Sequence, residues 1–218
     1  MERWWSADSN ALKLRRLYWT CAALLVLASM LALGCDLRVD HWLRDHPPPG
    51  DLRRLILTSE FFGHGLSVLV LIWAAAELDG RRLAVFSRLL ISAYAPGLVC
   101  TLIKGFVARQ RPEFAASAVD VWATFVSWFP VVNPPPQWGY ALQSFPSSHT
   151  ATAVGLAVGL AAIYPRGWRV FAVFALLASV QRVVAHAHFT SDVLFGAAIA
   201  FAVSGWWATC RWYETGVR

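Results

Sequence analysis

Residues 182–192, Arg-Val-Val-Ala-His-Ala-His-Phe-Thr-Ser-Asp, place an arginine, two histidines and an aspartate between two apolar runs that otherwise avoid charge. Two more polar clusters sit at similar boundaries: Lys104 and Arg111 ahead of Pro112, and Pro146-Ser147-Ser148-His149 at the start of another apolar run. Together they supply cations, serines where a helix would begin, histidines and a carboxylate, the parts of a phosphate-handling site. The flat, forked guanidinium groups of Arg111 and Arg182 match non-bridging phosphate oxygens, and Lys104 adds a point charge. A helix starting at Ser147 and Ser148 offers free backbone donors and the positive end of its dipole. Breaking a phosphate ester then needs a nucleophile and an acid. His188 has Asp192 one helical turn away to fix its tautomer and support its charge, and His149 is available to protonate the leaving oxygen.

Each part has a plainer explanation when taken alone. Lys or Arg near a helix end commonly snorkels to headgroups, and Pro-Ser-Ser before a helix commonly just caps it. The case for a site rests on the joint arrangement. A zinc site built from His186, His188 and Asp192 is the rival reading. Fixed cations close by would repel a divalent ion and suit an anion. No metal or cofactor is therefore expected, and His186 is assigned a supporting or structural place.

The elements that position these residues follow from composition. The chain of 218 residues is 57% hydrophobic and 15% charged, with a mean hydropathy of +0.49, well above the apolar share of soluble domains. Its net charge of +6 comes from basic residues scattered between apolar runs, which suits the flanks of membrane spans better than a nucleic-acid surface. Cys21, Cys35, Cys100 and Cys210 show no paired or finger spacing and read as packing residues. The Leu-Ala-Leu-Gly-Cys ending at Cys35 only partly matches a lipoprotein cleavage site, so an uncleaved first span is expected.

Apolar stretches at 17–34, 55–76, 83–106, 147–164, 170–185 and 191–209 approach the length a bilayer crossing needs. Trp4 and Trp5 read as an interfacial anchor ahead of the first. Residues 36–54, with Pro47-Pro48-Pro49-Gly50, read as an exposed loop. Glu60 and His64 fall one turn apart in the second span, where a helix-to-helix hydrogen bond is favoured over a direct functional role. Lys104 and Arg111, two turns apart, would share a face if the third helix continued. The connection at 113–145 is long and aromatic; its part at 115–129 is expected as an interfacial helix, with plain anchoring and a functional contact equally open. Gly155 and Gly159 would admit a close neighbouring helix.

The expected fold is all-α: an integral membrane bundle of six transmembrane helices with a long interfacial loop between helices 3 and 4, forming a single domain over residues 1–218. Six spans bring the three clusters to one face. Arg3, Lys13, Arg15, Arg16, Arg81, Arg82, Arg166, Arg169, Arg211 and Arg218 then lie on the side of the termini, a modest bias that places the clusters on the outer face.

At these residues the sequence resembles the type-2 phosphatidic acid phosphatase family, relatives of the vanadium haloperoxidases. The family pattern is a lysine, six residues and Arg-Pro; then Pro-Ser-Gly-His; then Ser-Arg, five residues, His, three residues and Asp. Here the corresponding residues are Lys104 with Arg111-Pro112, Pro146-Ser147-Ser148-His149, and Gln181-Arg182 with His188 and Asp192. Ser148 stands where the family has glycine and Gln181 where it has serine, which leaves the required groups in place and bears on substrate preference. The resemblance implies a metal-independent reaction through a phosphohistidine at His188, with His149 as acid and a lipid phosphate or diphosphate as substrate. In a bacterium that would be undecaprenyl diphosphate, phosphatidylglycerol phosphate or a lipid A phosphate, met at the periplasmic face of the inner membrane. A lipid-to-lipid phosphotransferase would use the same residues. A non-enzymatic anion carrier is the alternative of another class, but it leaves the histidines and Asp192 without a task.

Overall fold

The computed structural model describes residues 2–207, with side chains described for 12–206. Cys210, Arg211 and Arg218, and the side chains of Trp4 and Trp5, lie outside the described residues. Among the described residues there are eight α-helices: α1 (Glu2–Leu33), α2 (Asp36–Asp45), α3 (Gly50–Thr58), α4 (Gly65–Leu78), α5 (Arg82–Lys104), α6 (Ser148–Ile163), α7 (Trp168–Val184) and α8 (Thr190–Trp207). A two-stranded antiparallel sheet joins β1 (Val107–Arg109) to β2 (Phe125–Trp128).

Helix α6 lies at the centre of the bundle, packed against α5, α7 and α8, while α1 runs along α8. The expected close approach at α6 is present. A Cβ on Gly155 would collide with the carbonyl oxygen of Ser92 on α5, and Ser92 Oγ donates to the Gly155 carbonyl at 2.7 Å. Lipid supplies no hydrophobic drive to pair helices, so small residues and such hydrogen bonds carry the contact.

The expected spans map onto α1, the α3–α4 pair, α5, α6, α7 and α8. Among the described residues, three helical segments are long and apolar enough to cross a membrane, at Leu12–Leu33, Arg82–Lys104 and Pro165–Val184, and the α3–α4 pair makes a fourth if taken as one bent span. Helices α6 and α8 are apolar but shorter, below the roughly 20 residues of a full crossing. The chain is a multi-pass membrane protein.

Four local expectations are corrected. The second span is not continuous: α3 ends at Thr58, a 3-10 turn covers Ser59–Phe62, and α4 leaves at 71°. Gly63 and an extended His64 interrupt the helix, so Glu60 and His64 do not share a helical face. The break brings the chain against α6, where a Cβ on Gly63 would lie 2.8 Å from the His149 carbonyl oxygen. Helix α5 stops at Lys104, with Gly105 as its C-cap, so Arg111 is reached through a strand and not along a helix. Finally, residues 115–129 form no interfacial helix; β2 alternates half-buried and exposed positions and pairs with β1. Its β-branched and aromatic residues fit a strand with a partner edge beside it better than an isolated helix. Residues 36–45, expected as loop, form α2, whose Asp36 and Asp40 are buried.

Candidate active site

All three polar clusters converge at one end of the bundle. Lys104, the last residue of α5, is 8% exposed and donates from Nζ to the Gln143 carbonyl at 2.6 Å. Arg111 follows the strand. Its Nε donates to the Tyr140 carbonyl at 2.9 Å and its guanidinium lies 3.7 Å from the centre of the Tyr140 ring. Arg182, in the last turn of α7, donates from Nη1 to Glu60 Oε1 at 2.8 Å. In each arginine these bonds fix one side of the fork. Arg111 Nη1 and Arg182 Nε remain buried without a protein partner, as does Ser148 Oγ. Buried donors are nearly always satisfied, and among the described residues these three atoms are the buried side-chain exceptions.

Ser147 caps α6: its Oγ accepts from the Thr150 backbone N–H and hydroxyl, and its own N–H donates to the Asp192 carbonyl at 3.1 Å. A Cβ on Gly196 would strike the Ser147 carbonyl, so glycine there lets α8 pass close beneath the α6 terminus. Ser147 is thus engaged as a cap, and Ser148 is the serine with a hydroxyl to spare.

His188 is 1% exposed. Its Nδ1 lies 2.6 Å from the Ser144 carbonyl oxygen. A carbonyl only accepts, so Nδ1 carries the proton and Nε2 holds the lone pair. The expected tautomer-fixing partner was Asp192, but its carboxylate oxygen lies 3.9 Å from Nδ1. Asp192 instead accepts from Ser144 Oγ at 2.6 Å and from the Phe189 N–H at 2.9 Å, and so holds the two segments that flank the imidazole. Burial, followed by the charges of Lys104, Arg111 and Arg182, pushes the His188 pKa well below its usual value, against the Ser144 carbonyl. A depressed histidine is neutral above its folded-state pKa, so the ring keeps its Nε2 lone pair available for attack. Burial likewise lowers the Arg111 pKa.

The sequence reading missed Arg109. It is fully buried, between the rings of Phe125 and Phe189 at 4.7 and 4.3 Å. It donates to Asp192, to Asp36 at 2.8 Å, to Thr124 and to Ser191. Asp36 also accepts the Ser191 backbone N–H at 3.0 Å. Burial raises the Asp36 pKa, with the Arg109 charge opposing. This network fastens α2, β1 and the start of α8 to one another behind the site. An arginine amid the apolar residues after Lys104 was the only available signal.

His186 belongs to a separate link. Its Nδ1 lies 2.6 Å from Asp40, which also pairs with Arg44 at 2.9 Å, and Arg44 donates to the Pro112 carbonyl. Among the described residues no group of three or more His, Cys, Asp or Glu side chains is placed to hold a metal ion.

A cleft of about 610 Å³ opens beside the cluster. Apolar residues of α5, including Leu90, Ile91 and Leu98, line it with Gly63 and Gly65, and Ser148, His149 and Thr152 of α6 line it as well.

The chain belongs to the PAP2 superfamily, whose family model matches residues 86–216. Among solved structures it is similar to a transmembrane PAP2 type phosphatidylglycerolphosphate phosphatase from Bacillus subtilis. The two share 18% identity at a TM-score of 0.56, over 95% of this chain and 97% of that one. No curated protein sequence matches it.

Proposed function

We propose that this protein is a membrane lipid phosphatase that works through a phosphohistidine at His188. The observation that carries the proposal is the set of buried polar atoms without protein partners: Arg111 Nη1, Ser148 Oγ and Arg182 Nε. All three belong to residues around the buried imidazole, and a phosphoryl group offers each an acceptor oxygen with compensating charge. His188 Nε2 attacks phosphorus and the bond to the lipid oxygen breaks. His149 gives its proton to that oxygen as the alcohol leaves. Water then attacks the phosphorus of phosphohistidine, His149 recovers a proton from it, and inorganic phosphate departs with His188 neutral again. Lys104, Arg111, Arg182 and the α6 terminus stabilise the charge on the transferring group.

The cleft supports a lipid substrate, since its apolar wall lies along membrane-spanning α5 and His149 is among its lining residues. Membership of the PAP2 superfamily and the likeness to a phosphatidylglycerolphosphate phosphatase support the same class. The charge bias supports a site on the outer face, which in a bacterium is the periplasmic side of the inner membrane.

The test is phosphate release from lipid phosphates by detergent-purified protein with a chelator present. Release that persists with chelator and falls at least a thousandfold in His188→Ala is expected, since loss of a covalent nucleophile costs on that order. Undiminished release by His188→Ala would overturn the proposal.

A further inference from the structure

Glu60 has no place in the mechanism above, yet it stands inside the site. The break between α3 and α4 sets it on a 3-10 turn, where Oε1 accepts from Arg182 Nη1 at 2.8 Å and lies 3.9 Å from His149 Nε2. Gln181 joins the arrangement. Its Nε2 lies 3.3 Å from Glu60 Oε2, and its Oε1 accepts from Arg182 Nη1 at 3.2 Å. The family pattern has serine at this position, and a serine is too short to make both contacts. The glutamine therefore ties a carboxylate into the phosphate site.

The carboxylate is on a definite side. Gly63, three residues beyond Glu60, and His149, the group assigned to the leaving oxygen, both line the cleft, and Glu60 Oε1 lies 3.9 Å from His149 Nε2. Arg182 and Gln181 engage its two oxygens, and the side chain is 42% exposed. His149 lies beside it, and the His64 ring is 6.0 Å from the His149 ring. Arg111 and Lys104 are held towards Tyr140 and Gln143.

We infer that Glu60, held by Gln181, is a specificity-determining residue that selects phosphate monoesters over diphosphates by opposing negative charge on the leaving group. A simple monoester such as phosphatidic acid places an uncharged alcohol beside the carboxylate. A diphosphate places a second phosphate there, and like charges a few ångströms apart repel even when partly screened. The inference rests on the proposed reaction for its sense of which side the leaving group occupies.

The experiment compares kcat/KM for dioleoyl phosphatidic acid and farnesyl diphosphate in the wild type, Glu60→Gln, Glu60→Asp and Gln181→Ser. Binding of inorganic phosphate and pyrophosphate to the same proteins is measured by calorimetry. The wild type is expected to favour the monoester, and Glu60→Gln to shift the ratio at least about tenfold towards the diphosphate in both turnover and binding. Glu60→Asp keeps the preference, and Gln181→Ser weakens it. A Glu60→Gln variant that changes both substrates and both anions by the same factor would overturn the inference. The calorimetric ratio separates this result from a failure of the phosphatase reading: an anion preference that responds to Glu60 without lipid turnover would refute the reaction and keep the selection.

Discussion

At the residue scale, the site depends on groups whose roles are set by what touches them. Arg109 is the sharpest case, because it is buried between two aromatic rings and compensates the buried Asp36 and Asp192 at once. Arg109→Met would fill the space between Phe125 and Phe189 but leave both carboxylates without their cation. Breaking a buried pair this way costs about 3–5 kcal/mol. The expected outcome is a large loss of thermal stability in detergent, with partial recovery when Asp36→Asn removes one of the stranded charges. Full stability in Arg109→Met would show that the network contributes little. The residues visible in the sequence were those whose type and spacing carry meaning in one dimension: Lys104, Arg111, His149, Arg182, His188 and Asp192. Residues 36, 109, 144 and 192 meet only after folding, and the Ser144 group that orients His188 is a backbone carbonyl, which no residue type announces.

At the element scale, apolar runs long enough to be helices were legible, and so were the glycines that let α5 press on α6. Places where a run breaks were less so. The interruption at 59–64 looks continuous in hydropathy, because Phe61, Phe62 and the glycines do not lower it, yet Gly63 yields the backbone to α6. The strand at 125–128 was hidden in a stretch whose aromatic content suits an interfacial helix equally well; the partner that decided for a strand, β1, lies about 15 residues upstream across a loop. The α5–α6 contact gives a clean test. Gly155→Ala puts a methyl group against the Ser92 carbonyl, whereas Gly80→Ala meets nothing within 4 Å. Overpacking of this kind costs about 1–3 kcal/mol. Gly155→Ala is therefore expected to lower the melting temperature and the activity, because α5 carries Lys104 and α6 carries Ser148 and His149. Gly80→Ala should change neither.

At the scale of the whole molecule, helix ends from α5, α6 and α7 and the turn into α8 bring the cations and histidines to one end of the bundle, with α2 and the small sheet packed behind them. We propose, from the basic residues on the side of the termini, that this end faces outward. An alkaline phosphatase reporter fused after Trp128 is expected to be active and one fused after Arg82 silent; the reverse pattern would place the site on the inner face. The central claim is that phosphate passes through His188, and rapid quenching during turnover of a ³²P-labelled lipid phosphate tests it most directly. The account predicts an acid-labile, base-stable phosphoryl group on the peptide containing His188, absent in His188→Ala. Steady turnover with no labelled histidine at any quench time, together with activity in His188→Ala, would contradict it.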